Sequence, residues 1–384
     1  MTRKERLMAT LRGEDVDRPC VNFYEVGGFN VNPSNQDEFN IYNSESWRPL
    51  LDLAENHTDI IRMMSPVRKD SHQSWENPNQ NETFLKHVQQ DNWETSESRF
   101  SRITYRIKNR ELTSVSQRDK NLDTVWTTEP LLKTREDVLA YLKLPDEIFD
   151  EKIDFEPLIE QENLLGDRGI VMVDTEDPVC AVASLFKMEE FAMFAFTEKD
   201  LCHKMLEKNA RYIHKRAEIV ARDFPGHLWR IYGPEYVTPP FFPVDFFEEF
   251  VVKYDQPIVD SIHQYGGFAR IHSHGNCKEI LPLIVDMGAD GIDPLEPPHQ
   301  GNIELSEARK LYGEQLVLFG NIEIADIENM PSDQFRKIVK KSIADGTSGS
   351  GRGFVLMPSA SPYGREVQIQ TITNYKIMIE EIYR

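Results

Sequence analysis

The sequence is poor in cysteine and lacks long apolar segments. Its 384 residues include four cysteines, none in a C-x-x-C pair, at Cys20, Cys180, Cys202 and Cys277. We therefore expect a cytoplasmic protein without a disulfide framework, in which any metal would be bound by histidine and carboxylate. No apolar run approaches the roughly 20 residues that span a bilayer. The charged first residues also lack the apolar core of a secretory signal.

Basic residues are outnumbered by acidic ones. The chain has 44 Lys and Arg against 64 Asp and Glu, which gives a formal net charge of −20. This charge repels phosphate groups, so we expect neither a nucleic-acid partner nor binding to an anionic membrane surface. The chain is 40% hydrophobic, so its composition and length suit a folded enzyme with a sizeable core. A small-molecule substrate is the partner we expect.

Short β-type runs alternate with amphipathic helical stretches along most of the chain. The predicted strands are residues 19–24, 59–63, 169–174, 227–232, 268–272, 291–294, 315–320 and 353–357. Helical periodicity covers residues 244–265, 278–287, 305–312 and 332–345. Such alternation predicts an α/β fold with a parallel sheet and crossover helices. Eight strands would close a (β/α)8 TIM barrel.

The chain is longer than the roughly 250 residues of a typical barrel of this kind. The excess falls between the second and third predicted strands, at residues 66–150. Alternating segments at 101–107 and 112–116 predict a β-hairpin there, and Thr134 with Asp137 resembles a helix capping box. We therefore predict one barrel domain over residues 1–384, with an insertion at 66–150.

The fifth predicted strand ends in His272 and His274. Residues i and i+2 of a strand point to the same side, so both imidazoles can converge on one point. Two convergent imidazoles are the beginning of a metal site, and zinc is the metal that we expect there. The alternative is a pair of buried histidines bonded to backbone carbonyls.

Other polar residues follow the predicted strands, where barrel enzymes place their chemistry. Glu235 or Glu296 can complete a zinc site with His272 and His274, and we expect His272, His274 and Glu235 to be catalytic. Alternatively, such carboxylates cap helices or pair with arginine. The residues expected to bind substrate also lie at or near strand ends, and they are Glu25, Asp174, Tyr232, Tyr236, Asn321 and Tyr363.

Several segments resemble the uroporphyrinogen decarboxylase superfamily. They are residues 2–19 (TRKERLMATLRGEDVDRP), 271–276 (IHSHGN), 286–294 (DMGADGIDP), 318–323 (LFGNIE) and 353–359 (GFVLMPS). The resemblance implies the same (β/α)8 barrel. Decarboxylases of the superfamily hold the carboxylates of their substrate with arginines after the first strand. Here no arginine lies between Arg18 and Arg48, so tetrapyrrole decarboxylation is not expected.

The sequence is more similar to the zinc-dependent, corrinoid-linked methyltransferases of that superfamily. In that branch a His-x-Cys pair and a later cysteine bind zinc. Here His272 matches the first ligand, His274 replaces the first cysteine, and Ser359 or Ser361 replaces the second. The resemblance implies zinc, a corrinoid on a partner protein and, as in relatives, a homodimer. Two alternatives stay open: a metal-independent decarboxylase or lyase that uses the histidines for proton transfer, and a non-catalytic binding barrel.

Overall fold

The computed structural model describes residues 1–67 and 81–384. Numbered in chain order, its strands are β1 (Cys20–Val21), β2 (Ile60–Met64), β3 (Val88–Glu94), β4 (Ser98–Ile107), β5 (Arg110–Asp119), β6 (Val125–Glu129), β7 (Gly169–Glu176), β8 (Leu228–Tyr232), β9 (Phe268–His272), β10 (Gly291–Asp293), β11 (Val317–Ile322) and β12 (Phe354–Pro358). Each of the eight predicted barrel strands overlaps an observed one.

The helices lie mostly between the strands. They are α1 (Arg3–Arg12), α2 (Glu25–Gly28), α3 (Arg48–His57), α4 (Glu82–His87), α5 (Arg135–Tyr141), α6 (Glu156–Leu165), α7 (Pro178–Ala183), α8 (Met188–Thr197), α9 (Lys199–Asp223), α10 (Val244–Phe247), α11 (Lys253–Gln264), α12 (Leu281–Asp286), α13 (Leu305–Tyr312), α14 (Ile324–Asn329), α15 (Ser332–Gly346) and α16 (Ile369–Ile382). Within the described ranges, none of these helices has the length and apolar character needed to cross a membrane.

Eight parallel strands form the barrel, in the order β1-β12-β11-β10-β9-β8-β7-β2. The first and last strands of this order meet where the backbone N–H of Asp59 donates to the carbonyl of Val21 at 2.7 Å. The predicted (β/α)8 barrel is therefore confirmed. Two predicted helices differ in detail: α12 begins at Leu281 instead of residue 278, and a π-helical turn at Glu248–Val252 separates α10 from α11.

Alternation along β9 decides which side chains enter the barrel. Ala269 and Ile271 belong to the core cluster that includes the residues of the surrounding helices. Phe268 packs on the smaller cluster inside the barrel, and Arg270 contacts Met172 and Met357 of that same cluster. His272 has the same parity as Phe268 and Arg270, so β9 directs it to the interior at the carboxyl end of the barrel.

The insertion carries an antiparallel sheet of its own, β3-β4-β5-β6, between barrel strands β2 and β7. The predicted hairpin is present as β4 and β5, joined at Lys108 and Asn109. The capping box is present as well: Thr134 Oγ1 accepts from the N–H of Asp137 at 3.2 Å, and the Asp137 carboxylate accepts from the N–H of Thr134 at 2.9 Å. Residues 68–80 of the predicted insertion lie outside the described residues, and the single-domain assignment stays a prediction.

Candidate active site

Two imidazoles meet at the carboxyl end of β9. His272 is the last residue of the strand and is buried, whereas the His274 side chain keeps 38% of its surface exposed. Their ring centroids are 4.8 Å apart, and the rings are nearly perpendicular at 89°. The strand and its first loop residues thus bring both histidines to one point of the barrel mouth.

Each imidazole is held through Nδ1 by a carboxylate from β10 or the loop after it. His272 Nδ1 lies 2.7 Å from Asp293 Oδ2, and His274 Nδ1 lies 2.8 Å from Glu296 Oε1. Within the part of the chain that the structure describes, Nε2 of neither ring has a hydrogen-bond partner. A carboxylate at Nδ1 fixes the ring and leaves Nε2 available, as in metal-bound and in proton-transferring histidines.

A buried arginine stands behind Asp293. Arg270 Nε donates to Asp293 Oδ1 at 2.5 Å, and the guanidinium carbon lies 4.4 Å from the centre of the Phe319 ring. Burial favours a neutral Asp293, but the positive charge of Arg270 and the bond to His272 outweigh it and hold the pKa of Asp293 below its usual range. Asp293 is therefore a permanent anion that orients His272.

A second network covers His272 from the β1 side. The Tyr24 ring stacks on His272 with centroids 5.9 Å apart, and the Tyr24 hydroxyl accepts from Arg230. Arg230 in turn contacts both carboxylate oxygens of Asp174, at 2.7 and 3.2 Å. Tyr24 has a φ of 57°, a strained conformation for a bulky residue that costs about 1–3 kcal/mol. Neighbouring contacts hold the ring in this position.

An unusual acid lies at the end of β11. Burial raises the pKa of Glu323 to about 7, and the negative charge of Glu296 adds to the effect. Ser359 Oγ donates to Glu323 Oε2 at 3.2 Å. The other oxygen, Oε1, is buried and has no hydrogen-bond partner within residues 1–67 and 81–384. Glu323 can therefore hold or release a proton near neutrality, close to the His274–Glu296 pair.

Comparison with known families shows to which family this chain belongs. The sequence model of the uroporphyrinogen decarboxylase (URO-D) family matches residues 161–375, which is more than half of the chain. The chain belongs to the URO-D family. The matched region contains β9, β10 and β11, and hence both histidines with their carboxylate partners. No curated protein matches this URO-D family chain.

Solved structures extend the likeness of this URO-D family protein to the whole barrel. A methyltransferase from Methanosarcina mazei is 14% identical, with 100% of both chains covered and a TM-score of 0.59. The two proteins therefore share a fold. D-psicose 3-epimerase (13% identity, 59% of this chain and 85% of that chain, TM-score 0.31) and a muconate lactonizing enzyme from Pseudomonas putida (10%, 77% and 76%, 0.26) are too dissimilar to support any argument.

The predicted zinc ligands of this URO-D family protein are only partly brought together. Glu296 is engaged by His274 and by the N–H of Gly275 at 3.0 Å. Glu235 accepts from the N–H of Gly233 at 3.1 Å and acts on His274 only through its charge. Across the described ranges no three His, Cys, Asp or Glu side chains form a group that could hold a metal. The donor set thus offers two imidazoles, and zinc stays a prediction.

The residues predicted to bind substrate have different surroundings. Glu25 accepts from Ser361 at 2.5 Å, and Asp174 is bound to Arg230. The Arg230 guanidinium lies 5.2 Å from the Tyr232 ring centre. The other three are Tyr236, half-buried in the 3-10 turn after β8; Asn321, whose side-chain oxygen accepts from Ser342 of α15 at 2.9 Å; and Tyr363, which is 58% exposed.

The structure adds four residues that the sequence-based site did not include. Arg230, Arg270, Asp293 and Glu323 all contact or adjoin the histidine pair or its networks. For Arg270 a signal existed, because the alternation that places His272 inside the barrel also places residue 270 there. For Asp293 and Glu323 the signal was their position at the ends of predicted strands. Their partners, and the partners of Arg230, come from other parts of the chain, and strand periodicity does not identify them.

Proposed function

We propose that this URO-D family protein is a methyltransferase that moves a methyl group between a small methylated substrate, or a thiol or oxygen acceptor, and a corrinoid carried by a partner protein. The observation that carries this proposal is the His272–His274 pair, with each Nδ1 on its own carboxylate and each Nε2 available at the mouth of the barrel. The fold shared with a methyltransferase over the full chain supports it.

The proposed resident metal is zinc, held by Nε2 of His272 and Nε2 of His274. Glu235, which accepts from the N–H of Gly233, would have to turn toward the two imidazoles to become the third ligand. When bound, zinc acts as a Lewis acid on a sulfur- or oxygen-bearing group. Asp293 and Glu296 accept hydrogen bonds from the Nδ1–H groups. These bonds keep both imidazoles in the tautomer whose Nε2 has a lone pair. Arg270 keeps Asp293 ionised for that role.

Two further side chains suit the same site. The Tyr24 ring covers one face of His272 and limits access of water to it. Glu323, with a pKa raised to about 7 by burial, can supply or accept the proton that a thiol or hydroxyl group loses or gains during methyl transfer. Both assignments follow from position and charge, and both depend on the proposed reaction.

A metal-independent decarboxylase or lyase is the second candidate. The His272–Asp293 and His274–Glu296 pairs also suit proton transfer, and no third His, Cys, Asp or Glu of the described residues is placed to complete a metal site with the two imidazoles. A decarboxylase must bind an acidic substrate, however, and both arginines beside the site are already committed. Arg230 is paired with Asp174 and Arg270 with Asp293, so neither has a free charge for a substrate carboxylate.

Metal analysis of the purified protein separates the two functions. We expect about one zinc per chain in wild-type protein, loss of zinc in His272→Ala and His274→Ala, and retention in the control His299→Ala, which alters an exposed histidine after β10. Transfer of the methyl group of free methylcob(III)alamin to a small thiol, which forms the thioether and leaves cob(I)alamin, is followed by the visible spectrum of the corrinoid and tests the reaction itself. A folded protein that retains no metal after production with added zinc would eliminate the zinc-dependent mechanism.

A further inference from the structure

A cavity of about 340 Å³ lies between the insertion and the carboxyl ends of β7 and β8. Its wall is unusually aromatic, with side chains from the insertion, α9 and β8: Phe84, Tyr105, Tyr141, Phe149, Tyr212 and Tyr232. Tyr232 is the register partner of His272 on the adjacent strand. One lining residue of the cavity therefore belongs to the strand next to β9, directly beside His272.

Two carboxylates share a single guanidinium at this cavity. Arg216 of α9, whose side chain is 4% exposed, lies 2.6 Å from Glu151 Oε1 and 2.9 Å from Glu176 Oε1. Glu151 and Glu176 both line the cavity. Among the residues that the structure describes, one negative charge is thus left without a matching positive charge. Two other described cations lie nearby, and each has its own carboxylate. Lys215 is largely exposed and pairs with Asp150 at 3.0 Å, and Lys208, whose Nζ lies 5.4 Å from the Phe149 ring centre, pairs with Asp146 at 2.6 Å.

One carboxylate oxygen of Glu151 lacks a hydrogen-bond partner, in addition to the missing countercharge. Its Oε2 is buried and lacks a hydrogen-bond partner in the part of the chain that the structure describes. A buried carboxylate oxygen without a partner is costly. It is relieved either by a proton or by a cation in the cavity that Glu151 lines.

The aromatic wall of the cavity is also suited to a cation. Phe149 stacks against Tyr212, with centroids 5.5 Å apart, and also contacts Tyr141 at 5.8 Å. The hydroxyls of Tyr141 and Tyr212 both donate to Asn209 Oδ1, so these hydrogen-bonding groups are already satisfied. The rings offer apolar surface and electron-rich faces, which attract organic cations. An anion would be repelled by the carboxylates, and a neutral apolar molecule would leave Glu151 unpaired.

We propose that this cavity binds a small organic ammonium ion with methyl substituents, the substituents against the rings and the charge opposite Glu151. The volume lies within the usual range for small-molecule sites. The role of this cation as the methyl-bearing substrate rests on the proposed function; the binding itself does not.

Binding should depend on pH in a defined direction. Burial raises the pKa of Glu151 to about 7; Arg216 and Lys215 lower it, and Glu176 raises it further. A cation binds the ionised carboxylate better than the neutral acid, so affinity for an ammonium ion should increase as the pH rises from 6 to 8. Tetramethylammonium has no proton to lose, so a change in its affinity with pH must come from the protein.

The test is calorimetric titration of the full chain with tetramethylammonium, with tert-butanol as a neutral probe of similar shape. We expect tert-butanol to bind at least about tenfold more weakly. Glu151→Gln should weaken tetramethylammonium binding about tenfold and abolish its pH dependence. Tyr105→Leu should weaken the binding of tetramethylammonium and leave the binding of tert-butanol unchanged. Glu218→Gln, an exposed change on the same helix as Arg216, is the control.

Equal affinity for both probes, absence of tetramethylammonium binding, or unchanged binding in Glu151→Gln would each overturn the proposal. If Glu151→Gln fails to fold, the pH dependence of tetramethylammonium binding to the wild-type protein is the test. An affinity that does not increase from pH 6 to 8 would then overturn the proposal. No zinc or corrinoid is needed for these titrations. Retained cation binding without methyl transfer would therefore refute the proposed function, and methyl transfer without cation binding would refute the cavity assignment.

Discussion

Asp293 joins His272 and Arg270, two residues that β9 presents to the same interior face. One carboxylate oxygen lies 2.7 Å from His272 Nδ1, and the other lies 2.5 Å from Arg270 Nε. Asp293 and Arg270 are almost completely buried. A single carboxylate thus orients the candidate catalytic imidazole and neutralises a cation in the centre of the barrel.

Removing the charge of Asp293 should destabilise the fold strongly. Asp293→Asn retains the shape but leaves Arg270 as an unpaired buried cation, so we expect the free energy of unfolding to fall by about 3–5 kcal/mol. Urea denaturation followed by circular dichroism measures this change. The double variant Arg270→Met/Asp293→Asn should recover part of the loss because neither charge remains.

An exposed ion pair provides the contrast for Asp293. Glu307→Gln removes the partner of Lys278 on the surface and should hardly move the urea midpoint, because solvent screens such pairs. If Asp293→Asn were as mild as Glu307→Gln, the buried ion pair would not have the importance assigned to it.

Glu323 should make stability fall as pH rises. Its pKa is raised to about 7 in the folded protein, chiefly by burial, from the ordinary value of 4.5. Between these two values the folded state binds more protons than the unfolded state. The protonated form therefore stabilises the fold below pH 4.5, and this contribution is lost as pH rises to 7.

Thermal unfolding between pH 4.5 and 7.5 tests this prediction. Glu323→Gln mimics the neutral acid, so the variant should gain stability relative to wild type as the pH increases. The matched change Glu314→Gln, at an exposed position before β11, should give a constant difference from wild type. A constant difference for Glu323→Gln would show that the Glu323 pKa is not raised.

The strained backbone of Tyr24 predicts an unusual order of stability. Glycine tolerates a φ of 57°, whereas alanine does not. Tyr24→Gly and Tyr24→Ala lose the same ring, at a cost of about 3–5 kcal/mol, but glycine also relieves about 1–3 kcal/mol of backbone strain. We therefore expect the glycine variant to be more stable than the alanine variant, which reverses the usual ranking.

Chemical denaturation of the two Tyr24 variants gives this comparison directly. Tyr24→Phe is the matched control, because it keeps the ring and the backbone and removes only the hydroxyl that accepts from Arg230. That change should cost about 1 kcal/mol. An alanine variant as stable as the glycine variant would show that Tyr24 is unstrained.

The predicted fold depended on local patterns that remain visible in three dimensions. Eight apolar runs became the eight barrel strands, and β9 has the predicted bounds of residues 268 and 272. The Thr134 capping box formed because its two hydrogen bonds join residues only three positions apart. Boundaries were less predictable where tertiary contacts intervene, as in β1, which is reduced to Cys20–Val21.

The amino-acid sequence by itself determined the barrel and the inward direction of His272, because strand periodicity is a property of neighbouring residues. Only the tertiary structure decided which carboxylate pairs with which histidine or arginine. Asp293 reaches His272 across 21 positions, and Arg216 joins Glu151 to Glu176 across 65 and 40. A charge is neutralised by whatever group the fold places within a few ångströms, and that distance depends on how whole elements pack.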